Sequence, residues 1–114
     1  MTRQIVKRGD VTPDKNSKRS LWRLLYPADS EYDHGAVAGI AEYHHHAEGL
    51  PEGPAHAAAE FYYVVEGKGV VRLDGTDHEI ERGDSFIIPA DIPHSLWSTE
   101  PHSLVTFYVA LTDS

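Results

Sequence analysis

Turn-forming residues divide this chain into short segments, and their spacing constrains the fold more than any other feature of the sequence. Runs of β-branched and aromatic residues, such as EFYYVVEG (60–67), GVVRLDG (69–75) and SLVTFYVAL (103–111), are separated by Gly, Pro and Asp. The turns recur about every eight to twelve residues, which is typical of a β-sandwich or β-barrel. The one helix-compatible piece, AHAAAEF (55–61), is short and stands next to a proline. The sequence therefore predicts an all-β fold.

The first part of the chain differs from the rest. Residues 1–19 are polar, and the short apolar run LWRLLY (21–26) ends at Pro27. A length of 114 residues suits one domain. We therefore predict an extended N-terminal arm over residues 1–26 and a single barrel over residues 27–114.

Charge and cysteine usage exclude several function classes. The chain carries 18 acidic and 10 basic side chains, a formal net charge of -8 at pH 7. That charge repels phosphate backbones and anionic lipid, so neither nucleic acid nor a membrane is expected as a partner. The absence of cysteine excludes a disulfide scaffold and a cysteine nucleophile. No apolar run approaches the ~18 residues that span a bilayer, and a soluble cytoplasmic protein is expected.

Histidine is unusually frequent, with eight residues in so short a chain. Because there is no cysteine, a transition metal in this chain would be held by imidazole and carboxylate groups. The histidines and carboxylates are therefore the first places to look for chemistry.

The segment from His56 to Gly67 resembles the first motif of the cupins. In that motif a His-x-His pair is followed after three or four residues by Glu, and after six more by Gly. His56 matches the second His, Glu60 the Glu and Gly67 the Gly, whereas Pro54 stands where the first His is usual.

The segment from Gly83 to Ser98 resembles the second cupin motif. Gly83, Pro89 and His94 fall in place, while Asp91 stands where Gly is usual and Ser98 where Asn is usual. The two motifs are in the order and at the separation that small cupins show. The resemblance implies a single-domain jelly-roll β-barrel. It also implies a homodimer in which the N-terminal segment joins the sheet of the partner.

The resemblance implies one divalent metal inside the barrel, held here by His56, Glu60 and His94. Two imidazoles and a carboxylate suit Fe, Mn, Ni, Zn or Cu and leave positions open for substrate or water. The alternative is a metal-free pocket. His56 and His94 would then be interior imidazoles, hydrogen-bonded to Glu60 or to tyrosine hydroxyls.

The triplet His44-His45-His46 offers a replacement for the missing ligand. In a strand, His44 and His46 share one face and His45 takes the other. If this strand pairs antiparallel with residues 54–60, with Pro54 opposite His46, then His44 lies opposite His56. The competing interpretation is a solvated strand end.

Alternation along the strand that contains Glu60 predicts which aromatic side chain reaches the site. Tyr62 and Val64 share the face of Glu60, while Phe61 and Tyr63 point to the other face. The phenol of Tyr62 is one pleat from Glu60, so Tyr62 is a candidate proton donor or ligand-binding group.

These observations predict a small stand-alone cupin that binds a divalent metal and a small oxygenated organic molecule. Glu60 would be a ligand or a general base, and the chemistry would be of the isomerase, cyclase, lyase or dioxygenase type. The alternative is a non-catalytic, metal-free binding or accessory protein that uses the same pocket.

Overall fold

The structure is a computed structural model that describes residues 5–25, 36–53 and 55–111. These residues contain one short 3-10 turn at Arg8–Asp10. Almost all the regular structure is β. In chain order the strands are β1 (Asp14–Lys15), β2 (Arg19–Leu25), β3 (Ala36–Tyr43), β4 (Ala59–Glu66), β5 (Lys68–Leu73), β6 (Thr76–Glu81), β7 (Ser85–Ile88), β8 (His94–Ser98) and β9 (Leu104–Leu111).

The strands form two antiparallel sheets. The larger sheet has the order β1-β2-β3-β9-β4-β7, and the smaller has the order β6-β5-β8. Core residues come from both sheets, because Val64 and Leu104 of the larger sheet pack in one cluster with Val71 and Leu96 of the smaller. The prediction of a single-domain all-β barrel is confirmed.

Alternation on β4 follows the prediction made from the sequence. Tyr62 and Val64 are buried, while Phe61 and Tyr63 are exposed on the opposite face. The strand is held in this orientation by antiparallel pairing with β9 on one side and β7 on the other.

The N-terminal segment joins the larger sheet at its edge. Strand β2 pairs with β3 of the same chain along most of its length, and the two-residue β1 covers only Ser20 and Leu21. The division into an arm over residues 1–26 and a barrel over residues 27–114 stays a prediction, as does exchange of the arm between two copies.

In the three described ranges no helix has the length and apolar character needed to cross a bilayer.

Gly39 lies in the interior of β3 and lets β2 approach closely. A Cβ atom at this position would lie 2.1 Å from the carbonyl oxygen of Trp22 on β2 and 3.0 Å from the ring of Tyr108. The nearer clash is with backbone, so it can be relieved only by moving a strand.

We predict that Gly39→Ala lowers the free energy of unfolding by about 2–3 kcal/mol, because it overpacks the β2–β3 pairing. Urea unfolding followed by circular dichroism measures this effect. Gly9→Ala is the matched control, since nothing lies within 4 Å of a Cβ atom there, and its effect should stay within about 0.5 kcal/mol. Equal stability of the two variants would contradict the prediction.

Candidate metal centre

Three of the residues singled out from the sequence meet at one end of the barrel. His56 lies in the segment before β4, Glu60 is the second residue of β4, and His94 is the first residue of β8. One ligand atom from each lies within 4.8 Å of the other two. The distance between His94 Nε2 and Glu60 Oε1 is 3.7 Å.

Backbone contacts orient the two imidazoles. His94 Nδ1 lies 3.0 Å from the carbonyl oxygen of Ile92 and donates its hydrogen there, so in the neutral ring the lone pair is on Nε2, which faces Glu60. The carbonyl of His56 accepts a 2.7 Å hydrogen bond from the backbone N–H of Asp91. The two rings are tilted against each other, with centroids 5.1 Å apart.

Asp91 departs from the usual glycine of the second motif, and the backbone shows what that position requires. Its φ is 62°, in the left-handed region that favours glycine. Aspartate is among the few residues that enter this region at modest cost. The turn that anchors His56 is therefore kept without glycine.

The donor set fits a divalent transition metal. It combines two imidazole nitrogens with one carboxylate, and the carbonyl of Ile92 fixes one imidazole in the tautomer that leaves a nitrogen lone pair toward Glu60. Glu60 and His94 are largely buried, with side chains 15% and 10% exposed. Their carboxylate and imidazole are therefore partly shielded from water, whereas the side chain of His56 is exposed.

A cavity of about 250 Å³ opens beside these side chains. Arg19, Tyr43 and Tyr62 line it, as do the residues of the candidate centre. A second cavity of about 240 Å³ shares Arg19, Tyr62 and the same candidate ligands His56 and Glu60. A larger cavity of about 380 Å³ between β5 and β6 is lined by Glu79, Glu81 and Asp84 but by no histidine, so it does not offer the same chemistry.

The loop over this cavity is tied to the smaller sheet. The guanidinium of Arg72 and the hydroxyl of Ser95 both donate to the carbonyl of Leu50, at 2.9 and 3.2 Å. The N–H of Gly53 donates to the carbonyl of His94 at 2.8 Å. Leu50, Pro51 and Gly53 thereby form a fixed part of the cavity wall.

Two buried phenols lie at the base of the cavity. The hydroxyls of Tyr43 and Tyr62 are 3.1 Å apart and share a hydrogen bond. Burial raises the pKa of Tyr62 well above its ordinary value of 10.0, and the charges of Tyr43 and Glu60 raise it further. Burial also raises the pKa of Tyr43, although its hydrogen bond to Tyr62 and the charge of Arg19 lower it in part. Both side chains are therefore hydrogen-bonding phenols at neutral pH.

The histidine triplet lies elsewhere. Strand β3 pairs with β2 and β9, not with the segment before β4, so the register that placed His44 opposite His56 is wrong. His44 contacts the hydroxyl of Ser20 through Nε2 and the carbonyl of Ser17 through Nδ1, each at 3.3 Å. His46 has a buried Nε2 without a hydrogen-bond partner.

Among the residues that the structure describes, neither His44 nor His46 belongs to the cluster formed by His56, Glu60 and His94. Pro54, at the position of the usual first histidine, lies outside the described residues. Which of these five candidate side chains coordinate a metal stays a prediction.

Arg19 and Tyr43 were not predicted from the sequence to be parts of the site. They are register partners on β2 and β3 and line the cavity together. The available signal was alternation: Arg19 is two residues before the buried Leu21, and Tyr43 is two residues after the buried Ala41. Using that signal requires knowing that β2 and β3 turn these faces inward.

Two curated relatives are similar to part of this chain. Dimethylsulfoniopropionate lyase DddW from Ruegeria pomeroyi is 37% identical over 73 residues, which are 64% of this chain and 47% of that protein. The uncharacterized protein MJ1618 from Methanocaldococcus jannaschii is 37% identical over 41 residues, which are 36% of this chain and 33% of that protein. The chain thus spans less than half the length of either relative.

Solved structures with this architecture cover nearly the whole chain. A predicted oxalate decarboxylase from Thermotoga maritima has a TM-score of 0.79 at 20% identity, covering 96% of this chain and 100% of that one. Fe(II)-HppE with the alternative substrate (S)-1-HPP has a TM-score of 0.82 at 14% identity, covering 94% of this chain and 59% of that one. At these identities the likeness establishes the fold alone.

The family comparison covers both motifs. Residues 39–109, well over half of the chain, match the family described as Cupin domain. The matched range contains His56, Glu60 and His94 together with the strands that carry them. The chain belongs to the cupin family.

Proposed function

We propose that this chain is a metal-dependent enzyme that acts on a small oxygenated organic molecule in the cavity beside His56, Glu60 and His94. The observation that supports this most directly is the convergence of their ligand atoms within 4.8 Å, with the tautomer of His94 set by Ile92. The proposed cofactor is a divalent transition metal of the group Fe, Mn, Ni, Zn and Cu.

When bound, such a metal supplies a Lewis acid that polarises a carbonyl or activates water or dioxygen. Glu60 then serves as a ligand, and the hydroxyl of Tyr62 donates a hydrogen bond or a proton to the substrate. Leu50 and Pro51 form part of the wall of the cavity in which the substrate would lie. Among isomerase, cyclase, lyase and dioxygenase chemistry, the similarity to DddW favours a lyase.

We predict that the chain, purified without a metal-affinity column and stripped with a chelator, binds one Zn²⁺ or Ni²⁺. His94→Ala or Glu60→Gln should weaken binding at least about tenfold, because each removes or impairs one of three ligands. Calorimetric titration measures the affinity, and circular dichroism checks the fold. His78→Ala is the control, since His78 is an exposed residue of β6 outside the cluster.

Unchanged metal affinity in His94→Ala would contradict this ligand assignment. Absence of metal binding in the wild-type protein would instead favour the alternative function, a metal-free binding or accessory protein. In that case the pocket would still bind a small molecule, but no chemistry would follow.

A second set of variants separates a three-ligand site from one that borrows an imidazole. With three ligands, His44→Ala and His46→Ala should each leave the affinity for Zn²⁺ within about twofold. Pro54→His should tighten binding, because it restores the fourth protein ligand of the family pattern. A large loss in only one of the two alanine variants would show that the triplet supplies a ligand.

The raised pKa values of Tyr43 and Tyr62 predict how the free energy of unfolding changes at alkaline pH. Below pH of about 10 both phenols are protonated in the folded and the unfolded states, so they cause no pH dependence there. Above that pH the unfolded chain releases their protons first, so the free energy of unfolding should fall by up to about 1.4 kcal/mol per pH unit for each group.

Urea unfolding between about pH 8 and 11 measures this slope, and Tyr62→Phe should reduce it. Tyr63→Phe is the matched control, because Tyr63 lies on the outer face of the same strand and is 43% exposed. An identical slope in Tyr62→Phe and the wild type would contradict the assignment of the raised pKa to Tyr62.

We also propose that the protein is a homodimer. The two-residue β1 leaves Trp22 and the following residues of β2 unpaired on their outer side among the described residues. Such an edge can pair with another chain. Sedimentation at high micromolar concentration should show a dimer that is weakened by Leu24→Pro, which removes a backbone donor from β2 at the irregularity in its pairing with β3. A monomeric wild-type protein would contradict the proposal.

A further inference from the structure

Strand β2 carries two arginines on the same face as the buried Leu21, and their surroundings differ. Arg19, Leu21 and Arg23 pair with inward-facing positions of β3, so all three share the inner face. Arg23 forms an ion pair with Asp14. Arg19 has no carboxylate within ion-pair distance among the residues that the structure describes.

Arg19 lines the cavity beside Tyr43 and Tyr62. Its positive charge lowers in part the pKa values of Tyr43, Tyr62 and Tyr108, against the larger effect of burial, which raises them. Arg19 lines both cavities that adjoin the candidate metal centre. Lys18 lines the larger of the two.

Arg19 is half-buried, so its guanidinium is partly withdrawn from water while still facing the cavity. Turning an arginine inward costs free energy unless its charge is paired or well hydrogen-bonded. One phenol satisfies at most part of the five N–H donors that a guanidinium carries. The planar fork of the remaining donors matches the two oxygens of a carboxylate.

We propose that the ligand of this cavity carries a carboxylate and that Arg19 binds it, with Lys18 adding to the attraction. This deepens the proposed function, because it names the substrate class for the cavity whose other side is formed by His56, Glu60 and His94. The protein as a whole carries a net charge of -8, so the local pair of cations is what would attract an anion to this mouth rather than to the rest of the surface.

Propionate and propionamide form a matched pair of probes, because they share shape and size and differ in charge. Each is titrated into metal-free ¹⁵N-labelled protein and followed by NMR shifts of residues that line the cavity. We expect propionate to bind at least about tenfold more tightly than propionamide, as for a hydrogen-bonded ion pair. Arg19→Met should remove this preference, while Arg82→Met, at an exposed turn, should keep it.

Arg19→Lys is a second variant that tests the same role if Arg19→Met does not fold. It keeps the charge but loses the planar fork, so it should weaken propionate binding and leave propionamide binding unchanged. Thermal unfolding of each variant establishes that the barrel is intact. Inorganic phosphate is the competing anion, and binding that depends on Arg19 for phosphate but not for propionate would overturn the carboxylate assignment.

Failure of the carboxylate proposal can be distinguished from failure of the proposed metal-dependent function. In one outcome, propionate binds more tightly to the Zn²⁺-loaded protein, and Arg19→Met binds it as the wild type does. The carboxylate then binds to the metal, so the role of Arg19 is overturned while the proposed function stands. If metal-free wild type binds propionate through Arg19 and no metal binds, the anion site stands and the metal-dependent function fails. No preference for propionate in either form overturns the inference.

Discussion

The pairing of β4 with β9 sets the direction of Glu60 and Tyr62, two side chains on which the candidate site depends. Glu60 pairs with Ala110, Tyr62 with Tyr108 and Val64 with Thr106. Along one face of β4, the carboxylate of Glu60 therefore lies near the cavity, the phenol of Tyr62 is buried, and Val64 lies in the core. A shift of the register by one residue would exchange this row for Phe61 and Tyr63, because the two faces of a strand alternate. The packing of the core and the chemistry of the mouth thus depend on the same backbone hydrogen bonds.

The two ends of the barrel bury different kinds of side chain, apolar at one end and polar at the other. At the apolar end, Val64, Val71 and Leu104 are almost completely buried, and the nearby hydroxyl of Thr106 is satisfied by donating to the carbonyl of Ala41 at 2.9 Å. At the other end, polar side chains face inward, and burying them is tolerable only when they are paired. Tyr43 and Tyr62 bond to each other, and His94 bonds to Ile92. Glu60 and Arg19, which line the same cavity, keep spare hydrogen-bonding capacity.

Much of this arrangement could be predicted from the sequence because it follows local rules. Turn residues delimited the strands, and alternation from Glu60 placed Tyr62 inward and Phe61 outward, as the structure shows. Pairing between strands follows no such local rule. The segment 36–46 precedes the segment 54–60 directly, yet β3 pairs with β2 and β9, so the predicted position of His44 failed. Arg19 and Tyr43 were missed for the same reason, since only the β2–β3 register turns both toward the cavity.

The three candidate ligands are held with different rigidity, and this bears on how the cupin fold could function with Pro54 in place of a histidine. Glu60 and His94 stand on strands and are largely buried. His56 lies in an irregular segment, and what holds it is its backbone: its carbonyl bonds to Asp91, while nearby Gly53 bonds to His94. These bonds do not involve the side chain at position 54. Replacing that histidine therefore changes how many protein groups could reach a metal, but it leaves intact the contacts that bring His56 to the other two. A candidate centre with one protein ligand fewer is the consequence that we expect of proline at this point in the motif.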